Sequence, residues 1–116
     1  MTTSTQQSVS FKSENDIGLC IPDLAKAKQF YSDVLGFDLI AEHEDQLVYN
    51  TGAIRLYISR SNTYIPFIPA LAVKDYDKAK AYLMENGCEI VKEHTKDKSL
   101  FFKDPFGTVL DIIERK

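Results

Sequence analysis

A turn and a strand are predicted by the stretch Asp104-Pro105-Phe106-Gly107-Thr108-Val109-Leu110-Asp111-Ile112-Ile113-Glu114. Proline fixes the φ angle that the second turn position requires, and glycine two residues later tolerates a left-handed backbone. Side chains alternate along a strand, so Asp111 points away from the side that Leu110 and Ile112 face. Because an unpaired charge is costly in a core, we expect Asp111 to face a cation, a hydrogen-bond donor or a solvated pocket.

Length and composition are those of one compact soluble domain. The chain has 116 residues, of which 44% are hydrophobic and 27% are charged, and its net charge is −3. This charge, and the lack of a basic patch with interleaved aromatic residues, argue against nucleic acid as a partner. No apolar run has the length of a membrane span, and the first residues lack the features of a signal peptide. We therefore expect a cytoplasmic protein that binds no membrane and whose cysteines, Cys20 and Cys88, stay reduced.

The sequence predicts the same order of elements twice, namely a strand, a helix and three further strands. The first strand alternates in polarity and stops at Pro22, after which Asp23 can cap a helix that Gly36 ends. Asp75 and Gly87 take the same two roles in the second half. The predicted strands cover residues 16–21, 37–43, 46–50, 53–59, 67–73, 88–94, 100–103 and 108–114.

Matching residues indicate that the two halves are a duplication. Residues 75–82 repeat the pattern of residues 23–30, and Glu93-His94 repeats Glu42-His43. A βαβββ unit that occurs twice is therefore predicted. Its predicted boundaries are a flexible arm over residues 1–14, a first unit over 15–60, a connection over 61–66 and a second unit over 67–116.

Two motifs resemble those of a known superfamily. One is Ile21-Pro22-Asp23-Leu24 with the later Phe30-Tyr31 and Leu35-Gly36-Phe37, and the other is Asp104-Pro105-Phe106-Gly107 followed by Asp111. Over roughly residues 15–115 the chain resembles the vicinal oxygen chelate superfamily, which includes glyoxalase I, extradiol dioxygenases, fosfomycin-resistance enzymes and bleomycin-resistance binding proteins. The resemblance implies an α+β fold of tandem βαβββ modules. Each module would be a curved mixed sheet with a helix on its outer face, and the modules would form a cup-like site.

The resemblance also implies where a divalent metal would bind, since the family's metalloenzymes use His and Glu from the first and last strands. The corresponding positions in this chain are Asp16, Tyr57, Ile68 and Asp111. Isoleucine cannot ligate a metal, and a neutral phenol is a poor ligand for Mg²⁺ or Mn²⁺. We therefore expect the family's metal centre to be lost and no cofactor to be needed. If a metal binds, Asp16 and Asp111 would hold it with several waters.

Strand alternation, once these positions are placed, predicts which side chains face the cup. The predicted pocket consists of Asp16, Cys20, Arg55, Tyr57, Ile68, Ala70, Asp111 and Ile113. Arg55 can pair with Asp16 or Asp111, or it can recognise an anion, and the sequence leaves these alternatives open. His43 and His94 fall in charged runs on the predicted outer strands, so we expect both to be exposed. No catalytic residue is predicted.

The main functional hypothesis is metal-free binding of a small organic ligand in the cup, as in resistance or sequestration proteins. The alternative is a divalent-metal-dependent lyase, isomerase or dioxygenase that uses Asp16 and Asp111. A third hypothesis is an interaction module with a vestigial pocket. The resemblance and the prevalence of two-fold symmetry imply a homodimer.

Overall fold

The computed structural model describes residues 9–115, which divide into two compact units. The N-unit comprises residues 15–69, and the C-unit comprises residues 9–14 together with residues 70–115. Two strands, β1 (Lys12–Ile21) and β5 (Ile65–Val73), supply residues to both units. No helix among the described residues is long and apolar enough to cross a membrane.

The N-unit is built on a mixed sheet in the order β2-β3-β4-β1. Strands β2 (Asp38–His43) and β4 (Arg55–Arg60) each pair antiparallel with β3 (Gln46–Asn50), whereas β1 runs parallel to β4. Helix α1 (Leu24–Lys28) follows β1, and the Asp23 side chain caps it by accepting a hydrogen bond from the Lys26 amide at 3.1 Å. The predicted strand–helix–three-strand order is therefore confirmed.

Helix α1 continues as a π-helix over Gln29–Val34, which the sequence did not predict. The Leu35 amide donates to the Phe30 carbonyl at 3.0 Å, which is the wider spacing of a π-turn. The fully buried Tyr49 lies beneath this segment. Its hydroxyl is 2.7 Å from the Ser32 hydroxyl, and it donates a hydrogen bond to the Lys28 carbonyl at 3.4 Å. The widened helix thus supplies both partners of a buried phenol.

The C-unit repeats the plan in the sheet order β5-β8-β7-β6. Helix α2 (Tyr76–Glu85) follows β5, and Asp75 caps it through the Lys78 amide at 3.1 Å. Strands β6 (Glu89–His94), β7 (Ser99–Lys103) and β8 (Val109–Glu114) complete the sheet, with β5 parallel to β8. A short 3₁₀ segment, Thr95–Asp97, joins β6 to β7.

Each unit has its own hydrophobic core, formed by the helix and the sheet face that alternation predicts to lie beneath it. The N-unit core contains Leu19, Ala27, Leu47, Tyr49, Leu56 and Ile58. The C-unit core contains Val9, Val73, Tyr76, Ala79, Leu100, Phe102 and Ile112. Side chains alternate along a strand, so the residues between these core positions point to the opposite face, where the site residues were predicted.

The bounds of two segments differ from the predictions. Strand β1 begins at Lys12, and Val9 is buried in the C-unit core, so part of the predicted arm over 1–14 is ordered structure; residues 1–8 lie outside the described residues. Strand β5 begins at Ile65, inside the predicted connection over 61–66. The sequence did not predict this early start because prolines stand at positions 66 and 69, and proline is uncommon within sheets.

Candidate functional site

Asp111 lies in the middle of β8, between two neighbouring strands of the C-unit. Its register partners are Ala70 on β5 and Phe101 on β7. The side chain is half-buried, and its Oδ1 atom has no hydrogen-bond partner within residues 9–115. A buried polar atom without a partner is rare and costly, so this oxygen marks a place where a donor from outside the described chain would be stabilising.

An ion pair in the C-unit acts on Asp111. Arg115 donates to Glu14 from Nε at 2.9 Å and from Nη2 at 3.1 Å. Burial, which is the main cause, and the Glu14 carboxylate together raise the pKa of Asp111 to about 7, and the Arg115 charge opposes them. Asp111 can therefore exchange a proton near neutral pH, donating a hydrogen bond when neutral and accepting one when charged.

The other predicted pocket residues of the C-unit lie on the same strands. Ala70 on β5 is buried opposite Asp111 on β8. Two residues further along the same strands, Ala72 lies opposite Ile113, which is half-buried. Small side chains on β5 leave the Asp111 carboxyl without a polar neighbour on that strand. Its environment is therefore apolar on one side, which is consistent with burial as the main cause of its raised pKa.

In the N-unit the structure brings Asp16, Arg55 and Tyr57 together. Asp16 is the register partner of Arg55 across the parallel β1–β4 pair, and Tyr57 lies two residues further along β4. A hydrogen bond with Tyr57 is the main cause that raises the pKa of Arg55, and the Asp16 charge adds to it. The sequence left open whether Arg55 pairs with Asp16, with Asp111 or with an anion. Within this unit the Asp16 charge is the one that influences Arg55.

Two predicted pocket residues of the N-unit are buried. Cys20 is 3% exposed and Ile68 is 0% exposed. A Cβ atom added at Gly18 would lie 3.5 Å from the Ile68 Cβ, so Ile68 fills the space that the small residue leaves on β1. The space beside Gly18 is therefore taken up by a side chain of the same unit.

The donor set does not fit the family's metal centre. Ile68 offers no donor atom, and among the described residues no group of three or more His, Cys, Asp or Glu side chains could hold a metal ion. The feature that would suit a cation is the unpartnered Oδ1 of Asp111. One carboxylate oxygen is far from a complete shell, because Mg²⁺ takes six ligands and Ca²⁺ takes six to eight.

The two histidines lie on the outer strands, as predicted, but only one is exposed. His43 ends β2 and is exposed, whereas His94 ends β6 and is half-buried. The His94 ring meets the Phe101 ring edge-on at a centroid distance of 5.1 Å. Burial is the main cause that lowers the pKa of His94, Lys92 lowers it further, and Asp97 opposes both. The predicted exposure of His94 is therefore wrong.

Two residues that act on the site were missed from the sequence. Glu14 is two residues before Asp16, so strand alternation extended by one step would have placed it on the same face. Arg115 follows the last strand, so strand alternation does not predict where its side chain lies. Its position is fixed by the backbone, since its amide donates to the Val73 carbonyl at 2.8 Å.

Two hollows are lined by described residues of the N-unit. One, of about 410 Å³, is lined by Asn15, Asp16, Ile40, Asn50, Gly52, Ala53, Ile54 and Arg55. The other, of about 630 Å³, lies at the start of α1 and beside the β2–β3 turn. The cations of the larger hollow are engaged within the chain, because Lys28 pairs with Glu42 at 3.1 Å and Arg60 donates to the Glu44 carbonyl. The smaller hollow contains two of the predicted pocket residues, Asp16 and Arg55.

The strand order of the two βαβββ units is that of the glyoxalase-like class of folds. The chain belongs to the Glyoxalase/Bleomycin resistance protein/Dioxygenase superfamily, whose family model matches residues 15–112. The resemblance of the sequence motifs to the vicinal oxygen chelate superfamily and the predicted fold class are thereby confirmed.

Relatives and solved structures support the same assignment. The chain is 29% identical to metallothiol transferase FosB from Staphylococcus epidermidis, over 87% of this chain and 82% of that protein. A variant of homoprotocatechuate 2,3-dioxygenase from B. fuscum matches 92% of this chain with a TM-score of 0.66 and 25% identity. The match covers 33% of that dioxygenase chain. A hypothetical protein from Bacillus halodurans C-125, 13% identical, shares the fold with a TM-score of 0.64 over 95% of this chain and 96% of its own.

Proposed function

We propose that this superfamily member binds a small organic molecule at the Asp111 carboxyl, which supplies a hydrogen bond or exchanges a proton with it. The observation that carries the proposal is the buried Oδ1 atom of Asp111, which lacks a partner within the described residues. A ligand hydroxyl, amine or carboxyl would remove the cost of that unmade hydrogen bond. A carboxyl whose pKa is about 7 can serve a ligand as donor or as acceptor at neutral pH.

The proposal can be tested without knowing the ligand. Amide shifts of the ¹⁵N-labelled full chain would be recorded with a set of phenols, catechols and carboxylic acids, which includes 3,4-dihydroxyphenylacetate because a structural neighbour was solved with it. We expect at least one compound class to shift the amides of Asp111 and its register partners Ala70 and Phe101. Asp111→Asn should abolish those shifts, whereas Asp33→Asn, which changes an exposed aspartate, should keep them.

Two outcomes would contradict this proposal. Shifts that survive in Asp111→Asn would place the ligand elsewhere. No shift near Asp111 with any compound class would instead favour the interaction module with a vestigial pocket. The homodimer and the cytoplasmic location stay predictions, and neither is needed for this test.

A divalent-metal-dependent enzyme is the second candidate, and the comparisons favour it over metal-free binding. One relative is named a metallothiol transferase and one structural neighbour a dioxygenase. The residues of this chain oppose it, because Ile68 replaces a donor and Tyr57 offers only a phenol. Asp111, with Asp16 in the other unit, would be the residues to test. The metal content of the purified chain separates the two candidates.

A further inference from the structure

We propose that the smaller hollow of the N-unit binds the 2-amino carboxylate group of an amino acid or of a larger molecule that ends in that group. The Arg55 guanidinium would hold the carboxylate, and the Asp16 carboxylate would hold the ammonium group. This subsite goes beyond the Asp111 site and does not depend on it.

The register of three strands sets the polar groups of this subsite in one row. Arg55 lies on β4, and its partners are Asp16 on β1 and Asn50 on β3. Directly paired residues on neighbouring strands project to the same face, and neighbouring strands are about 4.8 Å apart. A cation therefore lies between an anion and an amide, at the spacing of the functional groups of one small molecule.

The groups of this row have the capacity to bind a ligand in addition to one another. A guanidinium has five N–H donors, which exceeds what its interactions with Tyr57 and Asp16 require, and a carboxylate can accept several hydrogen bonds at its two oxygens. The Asn50 Oδ1 atom accepts from the Gly52 amide at 3.0 Å, which fixes the orientation of the Asn50 side chain. Its NH₂ group is then a third, preoriented donor for a ligand carboxylate.

Charge and shape select the class of ligand. Asp16 and Arg55 are the charged side chains that line the hollow, so their charges cancel and a zwitterion fits better than a phosphate dianion. The volume of about 410 Å³ lies within the range of about 300–1,000 Å³ that is typical of small-molecule sites. Ile40, which is 47% exposed, also lines the hollow. A ligand with an apolar side chain would therefore bind more tightly than a ligand without a side chain.

The experiment uses the full chain and four probes, namely L-leucine, glycine, propionate and ethylamine. We expect L-leucine to bind with a Kd of about 1–10 mM and to shift the amides of Asp16, Asn50 and Arg55. Glycine should bind more weakly because it lacks an apolar side chain. Propionate and ethylamine should each bind at least about tenfold more weakly, since each satisfies only one charge.

Matched variants make the test specific. Arg55→Gln should weaken L-leucine binding by about tenfold or more, whereas Arg60→Gln, at the other end of β4, should leave it unchanged. Asp16→Asn should weaken L-leucine binding and strengthen propionate binding, because it removes the attraction for the ammonium group and the repulsion of a simple carboxylate. Such an exchange of preference would not follow from a merely structural role of Asp16.

Three results would overturn the subsite. They are the absence of any amide shift at the row with L-leucine, equal binding of L-leucine and propionate, and equal effects of Arg55→Gln and Arg60→Gln. The amides that report this subsite lie in the N-unit, whereas those that report the Asp111 site lie in the C-unit. Failure of the one proposal is therefore distinguishable from failure of the other.

Discussion

At the scale of single residues, Asp111 should make the stability of the chain depend on pH. The carboxyl has an ordinary pKa of about 3.9 in the unfolded chain, and its pKa is raised to about 7 in the folded chain. The folded state therefore holds the proton more tightly. The stability that this group contributes is fully present below about pH 4 and is lost as the pH rises through about 7.

We predict that Asp111→Asn removes this pH dependence. With allowance for the partial exposure of Asp111, the cost of its ionisation is on the order of 3 kcal/mol. As the pH rises from acidic to mildly alkaline, the free energy of unfolding of the variant should increase by that amount relative to that of the natural chain. Urea unfolding across this pH range measures the difference. The free energy of unfolding of Asp33→Asn should depend on pH in the same way as that of the natural chain. Parallel curves for Asp111→Asn would show that its carboxyl is solvated in the folded state.

Strand alternation in the sequence predicts the face on which Asp111 lies, but it does not predict the charges around it. The alternation of Leu110, Asp111 and Ile112 was enough to show that the carboxylate and the core lie on opposite faces. The Glu14–Arg115 pair joins residues at opposite ends of the chain, and its distances of 2.9 and 3.1 Å are tertiary facts that no local pattern encodes. The sequence left Asp111 as one possible partner of Arg55, and in the structure Tyr57 and Asp16 of the N-unit are the groups that act on Arg55.

At the scale of elements, the duplication includes a repeated ion pair from helix to second strand. Lys28 pairs with Glu42 at 3.1 Å, and Lys80 pairs with Glu93 at 2.8 Å. The second pair also carries a hydrogen bond from the buried Tyr76 hydroxyl to Glu93. The matching lysines and Glu-His steps that revealed the repeat in the sequence are thus the same residues that join each helix to its sheet.

We predict that the two repeated pairs differ in their effect on stability. Glu42→Ala removes an exposed pair and should cost less than about 1 kcal/mol. Glu93→Ala also removes the main acceptor of the Tyr76 hydroxyl, and a buried hydroxyl without a good acceptor is costly, so the loss should be clearly larger. Thermal unfolding of the two variants measures the difference. Equal losses would mean that water or the Ser99 carbonyl, 3.5 Å away, satisfies Tyr76.

Two glycines provide a second prediction at this scale. Gly107 closes the turn before β8 with φ of +97°, so Gly107→Ala should cost about 1–2 kcal/mol through backbone strain. Gly18 has no such angle, and a Cβ atom there would make ordinary contact with Ile68 at 3.5 Å. Gly18→Ala should therefore be neutral or stabilising by up to about 1 kcal/mol. Urea unfolding of both variants checks the contrast, which equal losses would contradict.

The π-helix shows why element type was easier to predict than element geometry. Leu24, Ala27, Phe30, Tyr31 and Val34 form one apolar stripe in the sequence, and that stripe suits an α-helix. The widening at Gln29 accompanies a contact with the buried hydroxyl of Tyr49, which lies on a strand that follows later in the chain. A pattern confined to the helix does not contain that partner.

At the scale of the whole molecule, the fold and the donor set favour different functions. The family model covers most of the chain, and relatives of this family include a metallothiol transferase. The positions that carry His and Glu in the resembling metalloenzymes carry Asp16, Tyr57, Ile68 and Asp111 here. A fold survives such changes because its core faces are separate from its site face, so membership in the family leaves the chemistry to be determined from the site.

We predict that the full chain, purified without chelator, contains less than one equivalent of divalent metal. Mn²⁺ or Ni²⁺ should then give little thermal stabilisation, because a cation at about one hundred times its Kd would add about 2.7 kcal/mol and shift the midpoint clearly. A stoichiometric metal that is lost in Asp111→Ala and kept in Asp33→Ala would overturn metal-free binding. It would make Asp111 a metal ligand and the metal-dependent enzyme the correct reading. A metal lost equally in both variants would be surface-bound and would leave the unpartnered oxygen of Asp111 for an organic ligand.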